Sequence, residues 1–298
     1  MSNVEPRFGR LITAMVTHFN DERELDLDRA QALATRLIEG GNDSLIINGT
    51  TGESPTVFYP QKIELFRAVV EAIGGKAPVI ANVGDNCTAD TVDFAKDVAK
   101  LGVDGFMCVV PYYNKPPQEG MYQHFKTIAD AVELPIILYN IPGRCVVNME
   151  AETTLRLAND CENVIAVKEA SGKMDQIATI AAAAPEGFNV YSGDDSATYD
   201  VMRLGGAGVI STTGNVAPER MKELVTKCAE GKWDEAWAAH EALLPLMNGL
   251  FETSNPILVK EALKLVGFPV GGVRLPLIDA TAEQSARLAS IMREVGVL

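Results

Sequence analysis

Eight short apolar runs recur along the chain: Leu11–Val16, Ser44–Asn48, Pro78–Val83, Gly105–Val110, Pro135–Asn140, Val164–Glu169, Asn189–Gly193 and Gly208–Ser211. They are apolar throughout rather than alternating, the pattern of strands buried on both faces of a parallel sheet. Between them the period changes to helical spacing. Asp28–Glu39 ends at Gly40-Gly41 and Thr88–Leu101 ends at Gly102, while Gln61–Ile73, Gln118–Val132 and Pro218–Glu230 carry the same amphipathic pattern. Eight strand–helix units in succession predict an α/β protein, a closed (β/α)8 TIM barrel rather than an open sheet. No strand run follows the eighth unit. Lys232–Leu246, Asn255–Val266 and Thr281–Val295 are all helical in period. The expectation is a barrel over residues 1–231 and a C-terminal helical extension over 232–298, packed on the barrel or on a partner subunit.

Composition agrees with that layout and narrows the function. The 298 residues are 47% hydrophobic and 22% charged, which suits one barrel of ~250 residues with an extension. The 26 basic and 40 acidic residues give a net charge of −14. A chain so acidic, with scattered cations, is a poor partner for nucleic acid or for anionic membranes. Five cysteines (Cys87, Cys108, Cys145, Cys161, Cys228) are far apart with no C-x-x-C pair, so buried free thiols in a reducing compartment are expected. The opening MSNVEPRFGR has no apolar leader core, and no segment approaches the ~18 apolar residues of a membrane span. A cytoplasmic protein is expected.

Several chemistries are disfavoured. The three histidines (His18, His124, His240) form no H-x-H or H-E-x-x-H motif, which argues against a zinc enzyme, and no metal is expected. Dinucleotide and P-loop fingerprints are missing, as is the G-x-S-x-G elbow, although spacing alone does not exclude a Ser-His-Asp set. The adjacent Asp194 and Asp195 fit helix capping before Ala197 better than acid–base work.

Lysine carries more information. Of 13 lysines, 12 fall in helical stretches or loops, where a solvated charge is expected; Lys168 alone ends an apolar strand, in Val164–Ser171. Active sites of such barrels lie at strand C-termini. An ordinary lysine amine is neutral in about one molecule in 2,500 at pH 7, but a pKa lowered by ~3 units leaves roughly 30% as nucleophile, the state of a Schiff-base lysine. The alternatives are a side chain snorkelling out of the barrel end or paired with Glu169. Gly49-Thr50-Thr51-Gly52-Glu53-Ser54 directly follows the second strand, and its small residues can free backbone N–H groups as an anion nest, or form an ordinary helix-capping loop. Two tyrosine motifs follow the fourth and fifth strands, Pro111-Tyr112-Tyr113-Asn114 and Tyr139-Asn140-Ile141-Pro142-Gly143-Arg144. Each is a packing anchor or, near a lysine, a proton relay.

Taken together, G-T-T-G-E-S, P-Y-Y-N-K-P, Y-N-I-P-G-R and V-K-E-A closely resemble the dihydrodipicolinate synthase family of pyruvate-dependent class I aldolases. The similarity runs from Thr13–Thr17 through Asn255-Pro256 and Lys260 to Arg274-Leu275-Pro276. The resemblance implies that Lys168 forms an imine with pyruvate, whose enamine attacks the aldehyde of L-aspartate 4-semialdehyde to open the diaminopimelate branch of lysine biosynthesis. Tyr139 matches the tyrosine that assists proton transfer at the imine, and Thr50 the threonine linking it to Tyr113, which relatives insert from a neighbouring subunit. Thr51 and adjacent amides match the holders of the pyruvate carboxylate. Arg144 matches the arginine that orients the second substrate's carboxylate, and Gly193 and Ile210 match positions whose backbone lines the pyruvate pocket. It also implies no cofactor, and a homotetramer built as a dimer of dimers.

The chain departs from the pattern in places. Thr17-His18 stands where relatives commonly read T-P, which is expected to alter a turn and place an imidazole at the site's edge. Asn48 and Asn82 make the neighbourhood more polar than usual. At the positions matching the inhibitory lysine site, Ser54, Lys62, Asn86, Asp90 and Tyr112, the family's histidine is replaced by Lys62, whose fixed cation should repel the ammonium of lysine. Other pyruvate aldolases on this scaffold, such as N-acetylneuraminate lyase, share the lysine and the Y-N-x-P tyrosine, but generally lack an arginine at the place of Arg144.

Overall fold

The structure, a computed structural model, describes residues 5–298. All eight expected strands form: β1 (Leu11–Ala14), β2 (Ser44–Ile47), β3 (Val79–Asn82), β4 (Gly105–Val109), β5 (Ile136–Asn140), β6 (Val164–Glu169), β7 (Asn189–Ser192) and β8 (Gly208–Ser211). Every neighbour pairs in parallel and β8 closes on β1. The helices are α1 (Leu27–Glu39), α2 (Tyr59–Ile73), α3 (Thr88–Ala99), α4 (Gln118–Ala131), α5 (Pro142–Cys145), α6 (Ala151–Asp160), α7 (Met174–Ala183), α8 (Thr198–Arg203), α9 (Pro218–Ala229), α10 (Trp233–Gly249), α11 (Ile257–Leu265) and α12 (Ala282–Glu294). The fold is the (β/α)8 barrel followed by C-terminal helices.

Helix α1 shows why the pattern was readable. It buries Ala30, Leu33, Ala34 and Leu37, the spacing of a single helical face, and its first turn is capped by Asp26, which accepts from Arg29 N–H. The expected elements differ mainly at their ends. β1 stops at Ala14 because the Val16 amide turns from the ladder to the side chain of Asn215 (3.2 Å). α2 begins two residues early, at Tyr59, since Gln61 Oε1 accepts from the Phe58 amide and so sits inside the first turn.

Strand alternation sorts the side chains into two layers. Ile136 and Leu138 of β5 and Val167 of β6 pack outward against the helices. Ile137, Tyr139 and Ala166 face inward with Ile12, Ile46, Ile80, Met107, Tyr191 and Ile210. Phe8 belongs to this inner cluster, and the Tyr191 hydroxyl donates to Gly9 O (2.8 Å), so the N-terminal end of the barrel is filled. Lys168 lies two residues beyond Ala166 on the same inward face, toward the open end.

Ala166 is a small member of this inner layer. Ala166→Leu is expected to cost about 1–3 kcal/mol by overpacking, read as a lower urea midpoint at unchanged m-value; an unchanged midpoint would show slack around Lys168.

Candidate active site

Lys168 is 6% exposed, and its ammonium lies 4.4 Å from the centre of the Tyr139 ring. The sheet register places it beside Tyr139 on one side and Tyr191 on the other. Among the described residues no carboxylate stands within ion-pair distance of it. Glu169 points to the outer layer, where its carboxylate accepts from Asn140 Nδ2, the Ser171 amide and Gln176 Nε2. Neither pairing with Glu169 nor snorkelling is realised. Burial lowers the Lys168 pKa to about 8; nearby Asp195 and Asp194 favour the cation while Arg144 opposes it.

The Gly49–Ser54 loop takes the shape of a nest. Asn48 and Glu53 both adopt left-handed backbone (φ 60° and 56°), and the Glu53 and Ser54 amides bond back to Thr50 O and Gly49 O. Among the described residues the amides of Thr50, Thr51 and Gly52 find no acceptor. A Cβ on Gly52 would lie 3.0 Å from Asn48 Cα and 3.2 Å from Met15 O, so any other residue would force the backbone apart by a few tenths of an ångström. Thr51 is buried, and its hydroxyl accepts from Asn255 Nδ2 (2.9 Å).

A cavity of about 430 Å3 opens beside Tyr139 at this end of the barrel, lined among others by Thr50, Lys62, Tyr112 and Arg144. Burial raises the Tyr139 phenol well above its ordinary range, while Arg144 and the Thr50 hydroxyl favour its charged form. Such a phenol stays protonated at neutral pH and can hand a proton on. Arg144 sits on the four-residue α5, with no carboxylate within ion-pair distance among the described residues. Gly193 follows β7 beside Glu169 and Ala170, where a Cβ would meet Ala170 Cβ at 2.6 Å; Ile210 is buried in the inner cluster with Tyr139. Lys168, Tyr139, Thr50, Arg144, Gly193 and Ile210 therefore gather at the C-terminal end of the barrel. Tyr113 does not: it is 86% exposed in left-handed backbone (φ 74°) and lines no part of this cavity.

Several sequence expectations need correction. Lys260 is not a solvated helix lysine but is 3% exposed, with Glu53 Oε1 at 2.5 Å. Asp194 does cap, accepting from the Ser196 amide, but Asp195 is buried and binds the Thr212 and Thr213 amides and the Thr213 hydroxyl, tying β7 to the loop after β8. His18 is buried away from the cavity; its Nε2 meets Pro269 O (3.0 Å), and it lines a separate cleft of about 770 Å3 beside the C-terminal segment. Asn82 Nδ2 donates to Asn48 O and Asn48 Nδ2 to Ser54 Oγ, so both extra asparagines brace the loop after β2. Sequence spacing held no signal for Glu53 with Lys260, since the partners lie in different motifs. Among the described residues no cluster of three or more His, Cys, Asp or Glu side chains is placed to hold a metal ion.

A lysine whose folded pKa is about 8 instead of 10.5 penalises the folded state below pH 8, and the penalty fades as pH rises from 8 toward 10.5. Lys168→Met is accordingly expected to stabilise the protein by about 3 kcal/mol at pH 7, and much less at pH 10, in urea unfolding. Equal stabilities at pH 7 would mean the amine is solvated.

The chain matches the model of the dihydrodipicolinate synthetase family over residues 7–295. It is 52% identical to the 4-hydroxy-tetrahydrodipicolinate synthase of Moorella thermoacetica, over 98% of this chain and all of that one. The structure of the dihydrodipicolinate synthase of Cyanidioschyzon merolae, solved with lysine bound, superimposes with a TM-score of 0.97 at 45% identity, covering 99% of this chain and all of that one. A monomeric dihydrodipicolinate synthase variant gives 0.95 at 42% identity, covering 97% of each chain. With its barrel, its buried lysine and this full-length likeness, the chain belongs to the dihydrodipicolinate synthase family.

Proposed function

We propose that this protein condenses pyruvate with L-aspartate 4-semialdehyde to give 4-hydroxy-tetrahydrodipicolinate, the first committed step of lysine biosynthesis by the diaminopimelate pathway. The observation that carries the reading is the amine of Lys168: buried, free of any carboxylate partner among the described residues, and with a pKa of about 8. About one molecule in ten then holds the neutral nucleophile at pH 7.

Lys168 Nζ adds to the keto carbon of pyruvate and water leaves, giving a cationic imine that serves as the electron sink. The methyl carbon loses a proton and the resulting enamine forms the new C–C bond to the aldehyde carbon, whose oxygen becomes a hydroxyl. The amino group of the second substrate then attacks the imine carbon and displaces Lys168, closing the ring. One water is lost overall. Tyr139, above the amine, carries protons in these steps, and Thr50 connects it outward. The free amides of Thr50, Thr51 and Gly52 receive the pyruvate carboxylate. Arg144, without an ion-pair partner among the described residues, takes the carboxylate of the semialdehyde with its guanidinium fork; Gly193 and Ile210 shape the wall.

Tyr113 completes the relay only from a second copy of the chain, which requires at least a dimer; we propose a homotetramer, a dimer of dimers. Its exposure supports this, as do the exposed Phe58, Val146, Leu275 and Ile278. Among the described residues no helix is long and apolar enough to cross a membrane. Five unpaired cysteines support a reducing compartment, and we place the protein in the cytoplasm.

The reading is tested by turnover of pyruvate with L-aspartate 4-semialdehyde beside N-acetylmannosamine, with Lys168→Ala as control. Turnover with the semialdehyde alone, abolished by the substitution and rising with pH through a midpoint near 8, is expected. Turnover only with the sugar would assign the scaffold to a different aldol reaction.

Lysine inhibition is expected to be weak or absent. Ser54, Lys62, Asp85, Asp90 and Asp93 line a neighbouring cavity of about 340 Å3, and the Lys62 ammonium, 5.6 Å from the Phe94 ring, should repel a second ammonium there. Inhibition by sub-millimolar lysine in a steady-state assay would contradict this.

A further inference from the structure

The loop that frees the Thr50, Thr51 and Gly52 amides does not hold its own shape. Its internal bonds, Glu53 N–H to Thr50 O (3.0 Å) and Ser54 N–H to Gly49 O (3.2 Å), require Glu53 to remain left-handed at φ 56°. A residue with a Cβ resists that conformation unless its surroundings impose it. The surroundings here are the C-terminal segment. Glu53 Oε1 lies 2.5 Å from Lys260 Nζ, and Oε2 accepts the Arg274 amide at 2.8 Å. Both side chains of the pair are almost completely buried, at 2% and 3% exposure.

The anchor is itself anchored. Lys260 Nζ donates to Gly272 O (2.8 Å) and rests 4.3 Å from the centre of the Phe19 ring, with Arg274 Cζ 4.2 Å from the same ring. The Arg274 guanidinium donates to Arg23 O, Thr56 O and Gln61 Oε1. A second tether leaves the same segment, where Asn255 Nδ2 donates to Thr51 Oγ1 (2.9 Å). Residues 255–274 thus grip the loop at both of its functional halves without contributing to the wall of the active-site cavity.

We propose that Glu53 and Lys260 are positioning residues for the reaction: their buried ion pair, held by the C-terminal segment, locks the loop with its amides turned to the substrate carboxylate, and neither residue touches substrate. This rests on the reading of the loop as the pyruvate-carboxylate nest. As a stabiliser such a pair is a poor choice, because apolar residues of equal volume often serve as well or better. Its value lies in direction. It clamps one strained residue, and a nest set in advance spends none of the binding energy on ordering itself. Burial lowers the Lys260 pKa to about 8, and Glu53 beside it opposes the drop, so the ammonium prevails at neutral pH.

The test is a split between the two Michaelis constants, measured on the full-length protein. Removing one charge strands the other, so Lys260→Met alone risks unfolding. The double variant Glu53→Gln with Lys260→Met removes both charges at similar volume and is the primary probe. Its fold is checked by circular dichroism and its melting temperature. The expected result is a KM for pyruvate raised by about tenfold, with the KM for L-aspartate 4-semialdehyde unchanged and kcat at saturating pyruvate within about twofold of wild type. An unchanged KM for pyruvate, or equal losses toward both substrates, would overturn the proposal and leave the pair a structural feature only. Failure of the underlying reading looks different: the wild-type protein itself would form no borohydride-trapped adduct with pyruvate.

Discussion

Desolvation of a single amine organises the active end of this barrel. Lys168 stands where β6 reaches the open rim, with Tyr139 and Tyr191 in register on either side, and only 6% of it is exposed. The interior disfavours the ammonium and lowers its pKa to about 8, while Asp195 and Asp194 keep the drop from going further. That balance suits imine chemistry. A fully favoured amine could not stabilise the cationic imine, and a fully solvated ammonium could not attack a carbonyl.

Lys260 is the instructive contrast. It is as deeply buried as Lys168 and its pKa is also about 8. Yet its ammonium is committed, with Glu53 at 2.5 Å and Gly272 O at 2.8 Å. Burial alone therefore does not make a nucleophile; burial without a partner does. The division of labour follows the fold. Rigid strands carry the amine and the phenol, while the loops after β2 and β5 carry the groups that bind charge, Thr50–Gly52 and Arg144.

The strands were legible because each must be apolar on both faces, a pattern that survives in one dimension. Their ends were less so. β1 stops where it does because of Asn215, which lies far along the chain. Lys168 was readable as a charge that ends an apolar run, and the nest as a cluster of small residues directly after a strand. Lys260 was not, because α11 has ordinary helical periodicity and its partner belongs to another motif. Capping before Ala197 is legible for Asp194, which accepts from the Ser196 amide, whereas the partners that draw Asp195 inward lie 17 and 18 residues on. His18 follows the same rule: the departure was visible, but the contact with Pro269 that draws it away from the site was not.

The most direct measurement is to incubate the folded protein with pyruvate, reduce with borohydride and map the modified residue by peptide mass spectrometry. One reduced pyruvyl group on Lys168, with Lys260 untouched, is expected. Modification of Lys260 instead, or of no lysine in protein shown to be folded, would contradict the view that an unpartnered, desolvated amine is what this barrel is built to present.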